Sequence, residues 1–172
     1  MKKQEWDYAK DQPVTPCVAD EPQEVYARQD KGWYVCGPMT GLPRFNYPLF
    51  DIVTLDLRRT KNQVVSPTEL DSRDMQGRAR ASLTGNFADF ADLGESWGDI
   101  LARDVKLIEH EIGHFALLPN WERSRGARLE VFVGLLVGVQ SFNSVSFSPD
   151  GNIIYYSMPI EDVREFIRSN MP

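Results

Sequence analysis

Short apolar segments alternate with longer segments of helical periodicity over most of the chain. Three of the short segments are rich in aromatic or β-branched residues and end at Gly or Pro, which is typical of buried strands. They are residues 33–37 (WYVCG), 63–67 (QVVSP) and 114–119 (HFALLP). The longer segments predict helices over residues 50–59, 96–108 and 124–138. This alternation indicates an α/β fold with a parallel sheet.

The last part of the chain predicts two further strands and a final helix. Residues 139–147 (VQSFNSVSF) and 152–157 (NIIYYS) flank Pro149-Asp150-Gly151, whose turn chemistry favours a hairpin or a pair of strands. After Pro159 the pattern is amphipathic, with Val163, Phe166 and Ile167 facing inward. The expected sheet therefore has about five strands with flanking helices.

Two segments depart from this pattern. Residues 1–31 are polar and lack a sustained period, so we expect an extended arm that becomes ordered against another subunit. Residues 32–172 are expected to form a single domain. Within that domain, residues 71–96 have no clear period and are too long for an ordinary connection, which predicts a lid or a disordered insert.

Composition narrows the classes of partner. The 172 residues suit one domain, and the formal net charge of −6 disfavours a nucleic-acid polymer or an anionic membrane as the main partner. No apolar run is long enough to span a bilayer, and the first residues lack the apolar core of a signal peptide. Of the two cysteines, Cys17 and Cys36, the second lies in a strand and is expected to be a buried free thiol, which fits the cytoplasm.

Ligands of parallel α/β sheets bind beyond the carboxyl ends of the strands. The loop from Gly37 to Pro48, the loop after the second strand and residues 119–128 are expected to converge there. In the helix that begins at Ser96, Asp104 alone interrupts the apolar stripe. The carboxylate is therefore either a structural group satisfied by backbone or a nearby Arg, or a group at the base of a cleft with a raised pKa.

Residues 119–138 (PNWERSRGARLEVFVGLLVG) combine a cationic helix start with a carboxylate deeper in the helix. Arg123, Ser124, Arg125 and Gly126 can hold an anion together with the free N–H groups of the first turn; the alternative is a capped helix with a solvated basic start. Glu130 lies among apolar neighbours, where an ionised carboxylate needs donors around it. A phosphate at the helix start and a sugar carbon at Glu130 would suit a nucleotide.

Four stretches carry a resemblance to a known family: YVCGPMTGLPRFNYPLF, VVSPTEL, WGDILARD and LLPNWERSRGARLEV. They resemble small phage and bacterial proteins of uncharacterised function (DUF4406 type), which are related to nucleoside 2-deoxyribosyltransferases and 2'-deoxynucleoside 5'-monophosphate N-glycosidases. The resemblance covers residues 33–140 and implies a flavodoxin-like (Rossmann-like) parallel sheet and a homodimer or higher homo-oligomer. It implies no cofactor.

The resemblance also implies roles for individual residues. Glu130 matches the nucleophile and Asp104 the group that assists departure of the base. Ser124 and Gly126 match the phosphate-binding positions of the monophosphate hydrolases; the transferases have an acidic residue where Ser124 stands. The remaining matches, in the sugar and base pocket, are Tyr34, Gly37, Pro38 and Met39. We also expect Tyr34 to take part in catalysis and Asn46 to bind the substrate.

The expected function is cleavage of the N-glycosidic bond of a 2'-deoxynucleoside 5'-monophosphate through a deoxyribosyl intermediate on Glu130, with Asp104 kept protonated by burial. The alternatives are a deoxyribosyltransferase that exchanges bases, a non-catalytic nucleotide-binding protein and a structural protein. Neither His110 nor His114 belongs to a ligand cluster, so no metal is expected. Trp33, Trp97 and Trp121 are more often core residues than base-stacking platforms, and Trp121 is the best candidate for stacking because its loop faces the cleft. We expect Arg125 to contact the phosphate.

Overall fold

The computed structural model describes residues 31–94 and 96–170 of the chain. The predictions for the N-terminal arm and for Cys17 fall on residues 1–30, outside the described residues. Five strands form one sheet: β1 (Gly32–Cys36), β2 (Val64–Val65), β3 (Ile112–Leu117), β4 (Ser141–Phe147) and β5 (Ile153–Met158). The helices are α1 (Tyr47–Leu57), α2 (Pro67–Leu70), α3 (Arg73–Ala81), α4 (Trp97–Glu111), α5 (Arg125–Leu136) and α6 (Ile160–Asn170).

The strand order is β2-β1-β3-β4-β5, and the first four strands run parallel. The α/β prediction is confirmed, and the architecture is consistent with a flavodoxin-like fold. Only β5 departs from the parallel arrangement, since it pairs antiparallel with β4. The connection of residues 148–152 permits a tight turn and is too short for the crossover that a parallel strand would need.

Both faces of the sheet are covered, because alternate residues of the central strands point to opposite sides. On one face Val35, Ala116 and Leu118 pack with α1. On the other face Tyr34, Cys36 and Phe115 belong to the cluster that includes α4, α5 and α6. At Gly37 a Cβ atom would lie 2.6 Å from the Cβ of Leu118, so a residue without a side chain lets the ends of β1 and β3 approach each other.

The helices α4 and α5, which carry Asp104 and Glu130, begin where the sequence predicts. Ser96 Oγ accepts a hydrogen bond from the Asp99 N–H and Asp99 accepts from Ser96, which completes a capping box at the start of α4. Ser124 Oγ accepts from the N–H of Ala127 and caps α5. These caps fix the first turns of the helices that carry Asp104 and Glu130.

The segment 71–96 is folded over its described residues, so the disordered alternative is wrong. It contains α3 and a 3₁₀ turn, Phe87–Phe90, which together pack on the loop after β1. Only Met75 and Ala79 of α3 are buried, and charged residues surround them in the sequence. Two buried positions in nine residues are too few to give a visible period, which explains why the helix is not evident from the pattern.

Candidate active site

The three loops predicted to converge do meet in one cleft at the carboxyl ends of β1, β2 and β3. Its inner part is a cavity of about 110 Å³, lined by Gly37 and Met39 after β1, by Asp71 after α2 and by Ser124 and Gly126 at the start of α5. This inner cavity opens into a wider mouth. The carboxylates of Asp104 and Glu130 both face the inner cavity.

Glu130 is 8% exposed and lies in the first half of α5. Both of its carboxyl oxygens face donors from β1: the Tyr34 hydroxyl donates to Oε1 at 3.0 Å and the Cys36 thiol donates to Oε2 at 3.1 Å. Residues 34 and 36 point to the same side of the strand, so one strand supplies both contacts. Cys36 is a buried free thiol, as predicted, but its contact with Glu130 was not foreseen.

The environment of Glu130 favours its protonated form. Burial and, to a smaller extent, the nearby Asp104 raise the pKa of its carboxyl to about 8, while Cys36, Tyr34 and Arg103 oppose the change. A free carboxylic acid with this pKa is mostly protonated at pH 7. Burial therefore favours the uncharged acid, while the two donors of the site suit the carboxylate.

Asp104 is 3% exposed, in agreement with the prediction that it points inward. Burial raises its pKa to about 6, but Arg103, whose Nε lies 2.9 Å from Oδ1, limits the increase. Burial therefore acts in the direction that the sequence predicts for Asp104, and Arg103 opposes it by stabilising the charged form. That Asp104 is protonated stays a prediction. Asp104 thus lines the cleft and is also paired with an Arg, so both alternatives raised for it apply.

Arg103 connects Asp104 to a second buried carboxylate. Its Nη1 donates to Asp71 Oδ1 at 3.0 Å, and the hydroxyl of Tyr47 donates to the other oxygen of Asp71. Arg103, Asp71 and Tyr47 all line the inner cavity. Sequence reasoning missed all three. The available signals were the position of Asp71 beyond the second strand and the position of Arg103 next to Asp104.

The mouth of the cleft is cationic. The exposed Arg123 and Arg125 line it, and Ser124 and Gly126 border both the mouth and the inner cavity. Free N–H groups of the first turn of α5 lie at the same place. Pro38 and Asn46 also line the mouth. The Asn46 amide donates to the carbonyl of Pro38 at 2.9 Å, so it holds the loop after β1 in shape.

Aromatic residues form one wall of the cleft, although Trp121 is not among them. Trp121 is 2% exposed and packs edge-on against Phe166 of α6, with ring centroids 5.1 Å apart. The expectation that it stacks on a base is wrong, since its 3₁₀ turn directs the ring into the core. Trp97 and Phe87 instead border both the inner cavity and the mouth, and Trp97 is 45% exposed.

The described residues contain no helix of the length and apolarity that crossing a membrane requires. Within 31–94 and 96–170, moreover, no group of three or more His, Cys, Asp and Glu side chains is arranged to hold a metal ion.

The protein has an α/β fold with a carboxylate-lined cleft at the carboxyl ends of its parallel strands. Residues 31–141 match the family described as a domain of unknown function, DUF4406, and the chain belongs to this family. The match extends from the start of β1 to the first residue of β4 and so contains every residue of the cleft named above. Neither a curated protein nor a solved structure matches the chain.

Proposed function

We propose that the protein hydrolyses the N-glycosidic bond of 2'-deoxynucleoside 5'-monophosphates. The observation that carries the proposal is the buried Glu130, whose carboxyl oxygens are held by Tyr34 and Cys36 in a cavity shared with Asp104. Two carboxyl groups facing one cavity are the usual equipment of glycosyl transfer. The resemblance to the deoxynucleotide N-glycosidases supports the choice of substrate.

A nucleotide fits the order of groups along the cleft. The base enters the inner cavity beside the aromatic wall, and the 5'-phosphate lies in the mouth, where Ser124, Gly126 and Arg125 supply donors and positive charge. Glu130 lies one and a half turns along α5 from Ser124. This places the sugar between the phosphate site and the nucleophile.

The reaction has two steps. The Glu130 carboxylate attacks C1' and the C1'–N bond breaks; its electron pair leaves with the base, which takes a proton from Asp104. Water then attacks C1', gives a proton to Asp104 and releases Glu130 and deoxyribose 5-phosphate. The products together contain the atoms of the substrate and one water.

This reaction requires the less populated protonation state of Glu130 and Asp104, in which the proton is on Asp104. The gap between pKa values of about 8 and about 6 favours protonated Glu130 with ionised Asp104. Moving the proton from Glu130 to Asp104 yields the reactive form. The singly protonated pair is most abundant near pH 7, so assays belong at that pH.

The first test measures base release. We expect free base from deoxynucleoside monophosphates at pH 7, and much less from ribonucleotides or from free deoxynucleosides. In Ser124→Asp we expect the preference for the monophosphate over the free deoxynucleoside, measured as a ratio of kcat/KM, to fall by about ten-fold or more, because the new carboxylate repels phosphate. Asp caps helices as well as Ser does, so α5 should keep its start.

Ser157→Asp, on the exposed side of β5, is the matched control and should keep the wild-type ratio. Equal rates of base release from the monophosphate and from the free deoxynucleoside would show that the protein does not recognise the 5'-phosphate. Exchange that requires an added acceptor base, with no release in water, would identify a deoxyribosyltransferase. Nucleotide binding without release or exchange would leave a binding protein.

A further inference from the structure

The inner end of the cleft carries negative charge beyond that of the proposed catalytic pair, Glu130 and Asp104. Asp71 and Asp104 lie on either side of Arg103, with contacts of 3.0 and 2.9 Å. Two carboxylates and one guanidinium leave a formal charge of −1 in a cavity whose other walls include Phe87, Phe90 and Ile100. Because these apolar walls have a low dielectric constant, the charge acts strongly on a ligand that enters the cavity.

Asp71 is placed to contact a ligand as well as to pair with its neighbours. It is 8% exposed, lines the cavity, and directs one oxygen to Arg103 and the other to Tyr47. Each carboxylate oxygen has a second lone pair, so each can accept one more hydrogen bond. The Tyr47 hydroxyl donates to Asp71, and its own free lone pairs are also acceptors.

The surrounding charge does not cancel this acceptor character. Arg80, whose guanidinium lies 5.1 Å from the Tyr47 ring, is paired with Asp51 outside the cavity. Arg103 donates to both aspartates through Nε and Nη1, and its Nη2 has no hydrogen-bond partner but is buried from solvent. The groups that Asp71 and Tyr47 present at this end are therefore hydrogen-bond acceptors.

We propose that Asp71 is a specificity-determining residue that selects nucleobases with an exocyclic amino group, namely cytosine, adenine and guanine, over thymine and uracil. The proposal rests on the proposed function, which places the base in the inner cavity. An amino group donates to the Asp71 carboxylate, the pairing by which acidic side chains recognise cytosine. In thymine and uracil the exocyclic heteroatoms are carbonyl oxygens, which a carboxylate repels and which flank the N3–H, the ring donor between them.

The test compares dCMP and dAMP with dTMP and dUMP. We expect the wild-type kcat/KM to favour the amino-bearing nucleotides by roughly ten-fold or more, and this ratio to fall by about ten-fold in Asp71→Asn. Glu69→Gln is the control, because Glu69 is exposed on the short helix α2 that precedes Asp71, pairs with Arg58 and lies outside the cavity. It should leave the ratio unchanged.

Tyr47→Phe is a second variant, which separates loss of the Asp71 carboxylate from a general disturbance of its surroundings. It removes one contact of Asp71 and keeps the carboxylate. It should retain the preference for amino-bearing bases. In parallel, calorimetry on Glu130→Gln gives the dissociation constant of each nucleotide without turnover. Tighter binding of dCMP and dAMP than of dTMP and dUMP is expected there.

The outcomes separate this inference from the proposed function. Base release with dTMP or dUMP preferred, or a ratio unchanged in folded Asp71→Asn, overturns the role of Asp71 and leaves the glycosidase standing. No release, with the amino-bearing nucleotides still bound more tightly, overturns the glycosidase and supports base selection by Asp71. Equal affinity for all four nucleotides in calorimetry overturns the selection, and the absence of any nucleotide binding overturns both.

Discussion

Glu130→Gln should lower the rate of base release from a deoxynucleoside monophosphate by about a thousand-fold or more, the scale of losses seen when a catalytic nucleophile is removed. An amide cannot form the bond to C1', although it has nearly the same volume as the carboxyl group. Its oxygen can still accept from Tyr34 or Cys36. The substitution therefore removes the chemistry and leaves the packing of α5 in place.

The comparison needs a variant with the same change in a neighbouring position. Glu122→Gln removes an exposed carboxylate just before α5, outside both parts of the cleft, and should keep wild-type activity. Single-turnover assays of both variants, with base separated by chromatography, measure the effect. A Glu130→Gln protein that releases base within ten-fold of the wild-type rate would show that Glu130 is not the nucleophile.

The wild-type protein should lose stability as the pH rises from about 5 to about 8. The carboxyl of Glu130 has an ordinary pKa of 4.5 and a pKa of about 8 in the fold, so over this range the folded state binds a proton that the unfolded chain has released. Stability falls with pH wherever the folded state binds more protons. The contribution is fully present below pH 4.5 and is lost as pH rises through 8. The difference between 4.5 and about 8 corresponds to roughly 5 kcal/mol in the free energy of unfolding.

Asp104 adds to the loss at the lower end of the range, since its pKa rises from 3.8 to about 6 on folding. Denaturant unfolding of wild type and Glu130→Gln at pH 5, 7 and 9 measures the effect. The variant should show a much flatter dependence and be the more stable protein at pH 9, while Glu122→Gln should follow the wild type. Parallel curves for wild type and Glu130→Gln would mean that the carboxyl is not held protonated by the fold.

Local patterns predict the scaffold because they depend on near neighbours in sequence. The caps at Ser96 and Ser124 can be deduced from the residues beside them, and they fix α4 and α5. The inward position of Asp104 follows from the apolar stripe that it interrupts. The burial of Glu130 follows from the apolar residues after it.

Contacts between distant segments determine the features of the site that could not be predicted from the sequence. Cys36 and Glu130 are 94 positions apart, and Asp71 and Arg103 are 32 apart, so neither pair forms a local pattern. Whether Trp121 faces the cleft or the core depends on the docking of α6, which brings Phe166 to its ring. The pKa of Asp104 depends on the direction of the Arg103 side chain, and the residue type alone does not determine that direction.

The central claim is that Glu130 becomes covalently bound to the sugar. The most direct measurement is rapid acid quenching of the protein during turnover of a deoxynucleoside monophosphate, followed by mass spectrometry of its peptides. We expect the peptide containing Glu130 to gain the mass of a deoxyribose 5-phosphate unit, and fragmentation to place that mass on Glu130. The Glu130→Gln protein should gain no mass. The same added mass on another residue, or its persistence in Glu130→Gln, would contradict the account.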